Sequence, residues 1–214
     1  MNTIKNKKIV IICAHLDDEV FGLGGTIAKL SKDNNIHILT IGNKYKKDSH
    51  DDKMMRLKCY IDTCYILNVK STVFSYNDLT FSKNQSKIEK HISDFLEMEN
   101  PDIIFTHTPK DIHKDHKCIS DIVNVINRRK NIEIIHFSIP GNSERNLGNN
   151  TFSPNMYIDI TEVYKTKKKL LKIYKQYKDY KYPDPLSTKK IKAKDEYYGS
   201  LINTKYAEGF EKVK

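Results

Sequence analysis

Apolar positions in the first two thirds of the chain come in short runs rich in Ile and Val, at 9–13, 36–41, 72–76, 103–106 and 132–137. Runs of that length and β-branched content, bounded by polar residues, read as strands buried on both faces. Between them the period changes. Val20, Leu23, Ile27 and Leu30 recur at helical spacing after the first run, and Ile119, Ile122, Val123 and Ile126 do so after the fourth. The alternation predicts an α/β fold: a Rossmann-like parallel sheet covered by helices on both faces, with right-handed crossovers. Residues 142–154 (NSERNLGNNTFSP) form the longest loop-like stretch, long enough to contact a substrate or move. A further apolar run, 156–160, leads into a Lys-rich helix at about 162–180, with a packing face of Val163, Leu170, Tyr174 and Tyr177. Tyr182-Pro183-Asp184-Pro185 then breaks the chain.

The length, 214 residues, fits one domain over 1–214: an α/β body at 1–160 and a basic C-terminal helical segment at 161–214. With 38% hydrophobic and 30% charged residues the chain can fill an ordinary core, which excludes disorder as its main state. The apolar run at 9–14 is far short of the roughly 20 residues of a membrane span and too short for a secretory segment, so a cytoplasmic protein is expected. Cys13, Cys59, Cys64 and Cys118 form no C-x-x-C pair, and buried free thiols in a reducing compartment account for them.

Charge changes the picture only locally. The chain carries +10, yet 15 Lys against 7 acids lie in 161–214, so a basic tail of +8 follows a body of only +2. Only Arg56, Arg128, Arg129 and Arg145 are arginines, and nucleic-acid readers lean on Arg for bidentate contacts. A basic nucleic-acid-binding module working through the C-terminal lysines is therefore the alternative, and a Lys-, Ile- and Asn-rich bias of the whole chain is the simpler account.

The first strand run ends in Ala14-His15-Leu16-Asp17-Asp18-Glu19, where a parallel sheet presents its ligand-binding residues. One imidazole and three carboxylates in five residues repel unless a cation or protons compensate. His15 and Asp18 can reach one ion while Asp17 stays free to handle protons. Alone, the cluster reads equally well as a helix N-cap, with Asp17 or Asp18 satisfying the first amides and Glu19 favoured by the helix dipole. A second cluster tips the balance: His107 to His116 (HTPKDIHKDH) follows the fourth strand. In a sheet of order 3-2-1-4-5 the first and fourth strands are neighbours and their helices lie on opposite faces, so both clusters meet at the topological switch point. His15, Asp18 and His116 then make a two-His, one-carboxylate set suited to a catalytic metal with an open position for water. His113 and Asp115 remain as a supporting or acid/base pair.

These two motifs resemble those of the LmbE-like, or PIG-L-like, metal-dependent N-deacetylases. Ala14-His15-Leu16-Asp17-Asp18-Glu19 is similar to their A-H-P-D-D-E, with Leu16 for Pro, and Asp111-Ile112-His113-Lys114-Asp115-His116 to their D-x-H-P-D-H, with Lys114 for Pro. Both departures spare every functional side chain. Further along, Arg56 before Leu67-Asn68-Val69, Tyr157-Ile158-Asp159-Ile160-Thr161, and Gly199 with Tyr206-Ala207-Glu208-Gly209-Phe210 resemble family segments; Cys59 stands where a Glu often follows the Arg. The resemblance implies that His15, Asp18 and His116 ligate Zn2+ (Fe2+ or another divalent metal in its place) and that Asp17 is the general base. It implies His113 as general acid and oxyanion partner, oriented by Asp115 in its charged form, and Arg56 as a substrate contact. The implied activity is hydrolytic removal of acetyl from an N-acetylated amino sugar or its conjugate, a small molecule. A homo-oligomer is compatible with it.

Other features carry less. Gly22-Leu23-Gly24-Gly25 mimics a dinucleotide fingerprint, but Ile27 stands at the last required Gly, which argues against NAD. His15-Leu16-Asp17 with His116 also fits the facial set of iron oxygenases, whose usual jelly-roll β fold the alternating pattern does not support. His37, His50, His91 and His136 read as structural or solvated, and His107 as a neighbour of the cluster.

Overall fold

The computed structural model describes residues 4–44, 49–143 and 151–213. Five strands pair in parallel in the order β3-β2-β1-β4-β5: β1 (Lys8–His15), β2 (Asn35–Lys44), β3 (Lys70–Asn77), β4 (Ile103–His107) and β5 (Glu133–Phe137). The continuous apolar runs follow from cover on both sides. Ile9, Ile11 and Cys13 of β1 pack into one cluster with α1 (Asp18–Leu30), α2 (His50–Leu67) and α5 (Tyr164–Tyr174). Val10, Ile12 and Ala14, on the opposite face, join α3 (Gln85–Glu99) and α4 (Lys114–Asn127). Burying each such Ile is worth roughly 1.5–3 kcal/mol, so the two-sided pattern itself fixes the layering.

Local signals set the helix ends. Ser49 and Asp52 form a reciprocal capping box at the start of α2, each backbone N–H donating to the other's side chain at 3.1 Å. Asn68 and Asn100 end α2 and α3 in the left-handed conformation, at φ 52° and 44°.

The C-terminal segment is not helical throughout. After α5 and α6 (Thr188–Leu201), β7 (Ala207–Lys212) inserts antiparallel between β5 and β6 (Met156–Asp159), completing a mixed seven-stranded sheet. Its buried Glu208 accepts from the N–H groups of Gly25 and Thr26 at 2.9 and 2.6 Å. These amides open the second half of α1, which is interrupted at Leu23 (φ −153°, ψ 27°). Lys167 of α5 lies 2.8 Å from Glu208 and 2.7 Å from Asp195 of α6, so a buried ammonium sits between the capping carboxylate and a second one. A Cβ at Gly25 would meet Ile160 at 2.7 Å, which is why α1 carries glycine at this crossing.

Of the loop expected at 142–154, residues 144–150 lie outside the described residues. Cys13, Cys59, Cys64 and Cys118 are all buried and unbridged. Among the described residues no helix is long and apolar enough to cross a membrane.

Candidate active site

β1 delivers His15 and β4 delivers His107 on adjacent parallel strands, in register from Ile9 opposite Ile103 to Ile12 opposite Thr106. α1 and α4 leave these strands on opposite faces, so their N-terminal turns straddle one crevice. There His15 Nδ1 lies 3.2 Å from His116 Nε2 and 3.7 Å from Asp18 Oδ2, and His116 Nε2 lies 3.5 Å from Asp18 Oδ1. Ligands about 2.1 Å from a tetrahedral ion sit about 3.4 Å from one another, so these spacings suit a divalent cation. More broadly, three overlapping sets hold donor atoms within 4.8 Å of each other: His15 with His113 and His116, Asp18 with His107 and His116, and His15 with Asp78 and Asp115.

Carboxylates back both imidazoles on the far nitrogen. His116 Nδ1 is 2.8 Å from Asp111 Oδ2, while Asp111 Oδ1 accepts from the His113 N–H at 2.7 Å. His15 Nε2 is 3.2 Å from both Asp115 Oδ2 and Asp78 Oδ1. Such partners fix ring orientation and raise ligand basicity in metal sites. Asp18 is held by the His15 N–H at 2.7 Å and by His107 Nε2 at 3.1 Å, with the His107 ring stacked 4.0 Å from that of His116.

The electrostatics match a site built for positive charge. Burial alone would raise Asp18, but His116, His107 and His15 hold it well below the usual carboxylate range. Burial opposes charge on His15, yet Asp115 and Asp78 push it up to about 10. Burial and the neighbouring His107 push His116 down to about 4, which leaves its imidazole neutral, whereas His15, charged in this setting, would release its proton on binding a metal. The donor set, its spacing and its carboxylate backing fit a divalent cation.

Asp17 stands apart. It occupies the N-cap of α1 but makes no side-chain cap bond, and its backbone sits at φ 122°, a conformation side-chain-bearing residues rarely adopt. The helix-cap account therefore fails for this side chain. Burial, Asp18 and Glu19 raise its carboxyl well above the ordinary value, against the opposing charges of His15 and Arg56.

His113 and Asp115 are placed differently from expectation. The Asp115 carboxylate faces His15 and accepts from the Leu79 N–H at 2.7 Å, and it makes no hydrogen bond to His113. His113 instead caps α4, its Nδ1 accepting from the Asp115 N–H at 3.3 Å. A ring that accepts at Nδ1 carries its proton on Nε2, and burial together with His15 lowers its pKa. The charged imidazolium expected for His113 is thus disfavoured. Arg56 is buried, donates to the Asn43 carbonyl at 3.1 Å and lies under the Tyr177 ring at 5.3 Å; its charge reaches Asp17.

Two site residues were not singled out from the sequence. Asp111 lies inside the quoted motif, and its position two residues before His113 was the available signal. Asp78 follows β3, a strand not adjacent to β1, and nothing local marks it. The glycines that mimic a nucleotide fingerprint pack instead: a Cβ at Gly22 would lie 2.5 Å from the Phe137 ring.

Similar proteins share this framework. N,N'-diacetylchitobiose deacetylase from Pyrococcus horikoshii superposes with a TM-score of 0.75 at 22% identity, over 97% of this chain and 84% of that one. The zinc-inhibited form of a teicoplanin deacetylase gives 0.77 at 13% identity, over 96% and 98%. The 4-carboxy-2-hydroxymuconate hydratase of Pseudomonas putida gives 0.72 at 17% identity, over 97% and 96%, so the fold alone does not fix the reaction. No curated protein matches the sequence significantly. The family described as PIG-L, GlcNAc-PI de-N-acetylase, matches residues 10–127, which span both histidine-acid motifs and more than half of the sequence, and the chain belongs to that family.

Proposed function

We propose that the protein is a metal-dependent hydrolase that removes acetyl from an N-acetylated amino sugar or its conjugate. The observation that carries this reading is the inward-facing trio His15, Asp18 and His116, at 3.2–3.7 Å separations, beside an Asp17 carboxylate left uncommitted by the helix it caps. Membership of a de-N-acetylase family supports the same chemistry. These three residues would hold a divalent cation, zinc as first choice with Fe2+ or another metal open, which when bound supplies a water of lowered pKa and polarises the acyl carbonyl.

The chain's own residues do the rest. Asp17 takes the proton of the attacking water, helped by its raised affinity for one. His113 presents Nε2–H to the oxyanion of the tetrahedral adduct, a role for which the neutral, helix-capping tautomer suffices. We therefore assign the return of the proton to the leaving nitrogen to Asp17 rather than to His113. One C–O bond forms, the amide C–N bond breaks, and acetate and a free amine leave. Arg56, buried here, acts on Asp17 through its charge. Asp115 and Asp111 hold the two ligand imidazoles. Four buried unbridged thiols fit a reducing compartment, the cytoplasm.

The deciding experiment is acetate release from a panel of N-acetyl sugars, among them N-acetylglucosamine and N,N'-diacetylchitobiose, with bound metal measured in the same samples. Metal at one ion per chain with no release from any of them removes the deacetylase reading. Turnover of an unsaturated hydroxy acid by the same preparation would favour the hydratase chemistry of the structural neighbour.

A further inference from the structure

Glu19 and Tyr174 are two buried titratable groups with no part in the chemistry above. Glu19 is wholly buried in the first turn of α1, and Tyr174, 2% exposed, closes the last turn of α5. The Tyr174 hydroxyl donates to Glu19 Oε1 at 2.5 Å, and Glu19 Oε2 accepts from the Asp17 N–H at 3.0 Å. One carboxylate thus bridges a hydroxyl from the C-terminal segment to the backbone of a residue 157 positions earlier. That backbone is the strained one, at φ 122°. A strained conformation costs free energy and persists only where the surroundings over-determine it.

We propose that Tyr174 is a positioning residue for Asp17, acting through Glu19; this rests on reading Asp17 as the base. Without the hydroxyl, Glu19 Oε1 loses the donor that orients the carboxylate, which is then free to rotate. That weakens its hold on the Asp17 N–H, and the Asp17 backbone relaxes from its strained conformation. Tyr174 is fixed for this task by its own helix, since Lys167, two turns earlier, ties α5 to Glu208 and Asp195. The basic C-terminal segment thereby completes the site without contributing a reacting group.

The test uses the zinc-loaded full chain and the Tyr174→Phe variant, which keeps the ring and loses only the hydroxyl. The kcat on N,N'-diacetylchitobiose should fall about tenfold, the scale of one hydrogen bond to a charged group, with KM and metal content unchanged. The Asp17 amide, followed by residue-resolved hydrogen exchange, should exchange about tenfold faster. Tyr164→Phe is the control: its buried hydroxyl on the same helix has no hydrogen-bond partner among the described residues, and its removal should alter neither readout. In an Asp17→Asn background the Tyr174→Phe change should cost no further activity. Wild-type Asp17 exchange in Tyr174→Phe overturns the proposal, as does an activity loss that persists in the Asp17→Asn background or is matched by Tyr164→Phe. Full activity in Asp17→Asn removes the base reading instead, and the exchange measurement then still decides whether Tyr174 holds Asp17.

Discussion

Asp17 and Asp18 are neighbours in sequence with different proposed roles: the Asp18 carboxylate faces the histidines, whereas Asp17 sits at φ 122° with no side-chain bond to the helix it caps. Elemental analysis separates the two. His15→Ala, Asp18→Ala and His116→Ala should each lose metal, whereas Asp17→Asn should keep it and lose turnover by about 10² or more, the scale of lost acid/base catalysis. An empty site in Asp17→Asn beside a full one in Asp18→Ala would exchange the roles. Asp111→Asn should bind metal about 10- to 100-fold more weakly in a chelator competition, because the His116 ring loses its 2.8 Å carboxylate partner. Unchanged affinity would make Asp111 only a loop brace through its bond to the His113 N–H. The convergence of His15, Asp18 and His116 was legible in the sequence because His15 ends β1 and the other two open the helices that follow β1 and β4, strands whose apolar runs are unmistakable. Asp78 was not, since its place beside His15 depends on how the chain turns after β3.

At the scale of elements, the surprise is β7. Its six residues, Ala207–Lys212, include two glutamates and a glycine, so no apolar alternation announces a strand. Tertiary context supplies what the pattern lacks: Glu208 is buried because it caps the interrupted α1 and is neutralised by Lys167. The parallel strands were readable for the opposite reason, being buried on both faces. The buried cluster makes a prediction for stability. Lys167→Met removes the buried ammonium that both Asp195 and Glu208 face, and losing one partner of a buried ion group costs about 3–5 kcal/mol. Urea denaturation should show that loss as a lower midpoint with an unchanged slope. A variant as stable as the parent would mean that the two carboxylates share a proton instead, a response to which Asp195, pushed up to about 6 chiefly by burial, is already inclined.

Over the whole molecule two charge effects remain, one on stability and one on encounter. His136 of β5 is buried, and burial, with Lys110 and His107 adding to it against Glu211, pushes its pKa from 6.5 down to about 4. The unfolded chain takes up a proton near pH 6.5 and the folded one resists until about 4, so stability present above 6.5 is lost as pH falls through that window. The loss is about 3 kcal/mol, and His136→Gln should flatten this part of the stability-pH curve in the metal-loaded protein. A curve of unchanged slope would assign the acid sensitivity to other groups. The net charge of +10 acts at longer range. Lys165, Lys168, Lys169 and Lys172 are exposed along the outer face of α5, opposite the buried face that carries Leu170 and Tyr174. They face solvent, so any pull they exert on an anionic substrate would act through their field and not by contact. A phosphorylated N-acetyl sugar should therefore show a higher kcat/KM than its neutral counterpart at about 0.01 M salt, where the screening length is about 30 Å. The advantage should shrink towards unity at about 0.15 M, where it is about 8 Å. A preference that survives high salt would instead point to a phosphate contact inside the site, and equal rates at low salt would leave these lysines as a solvated helix face.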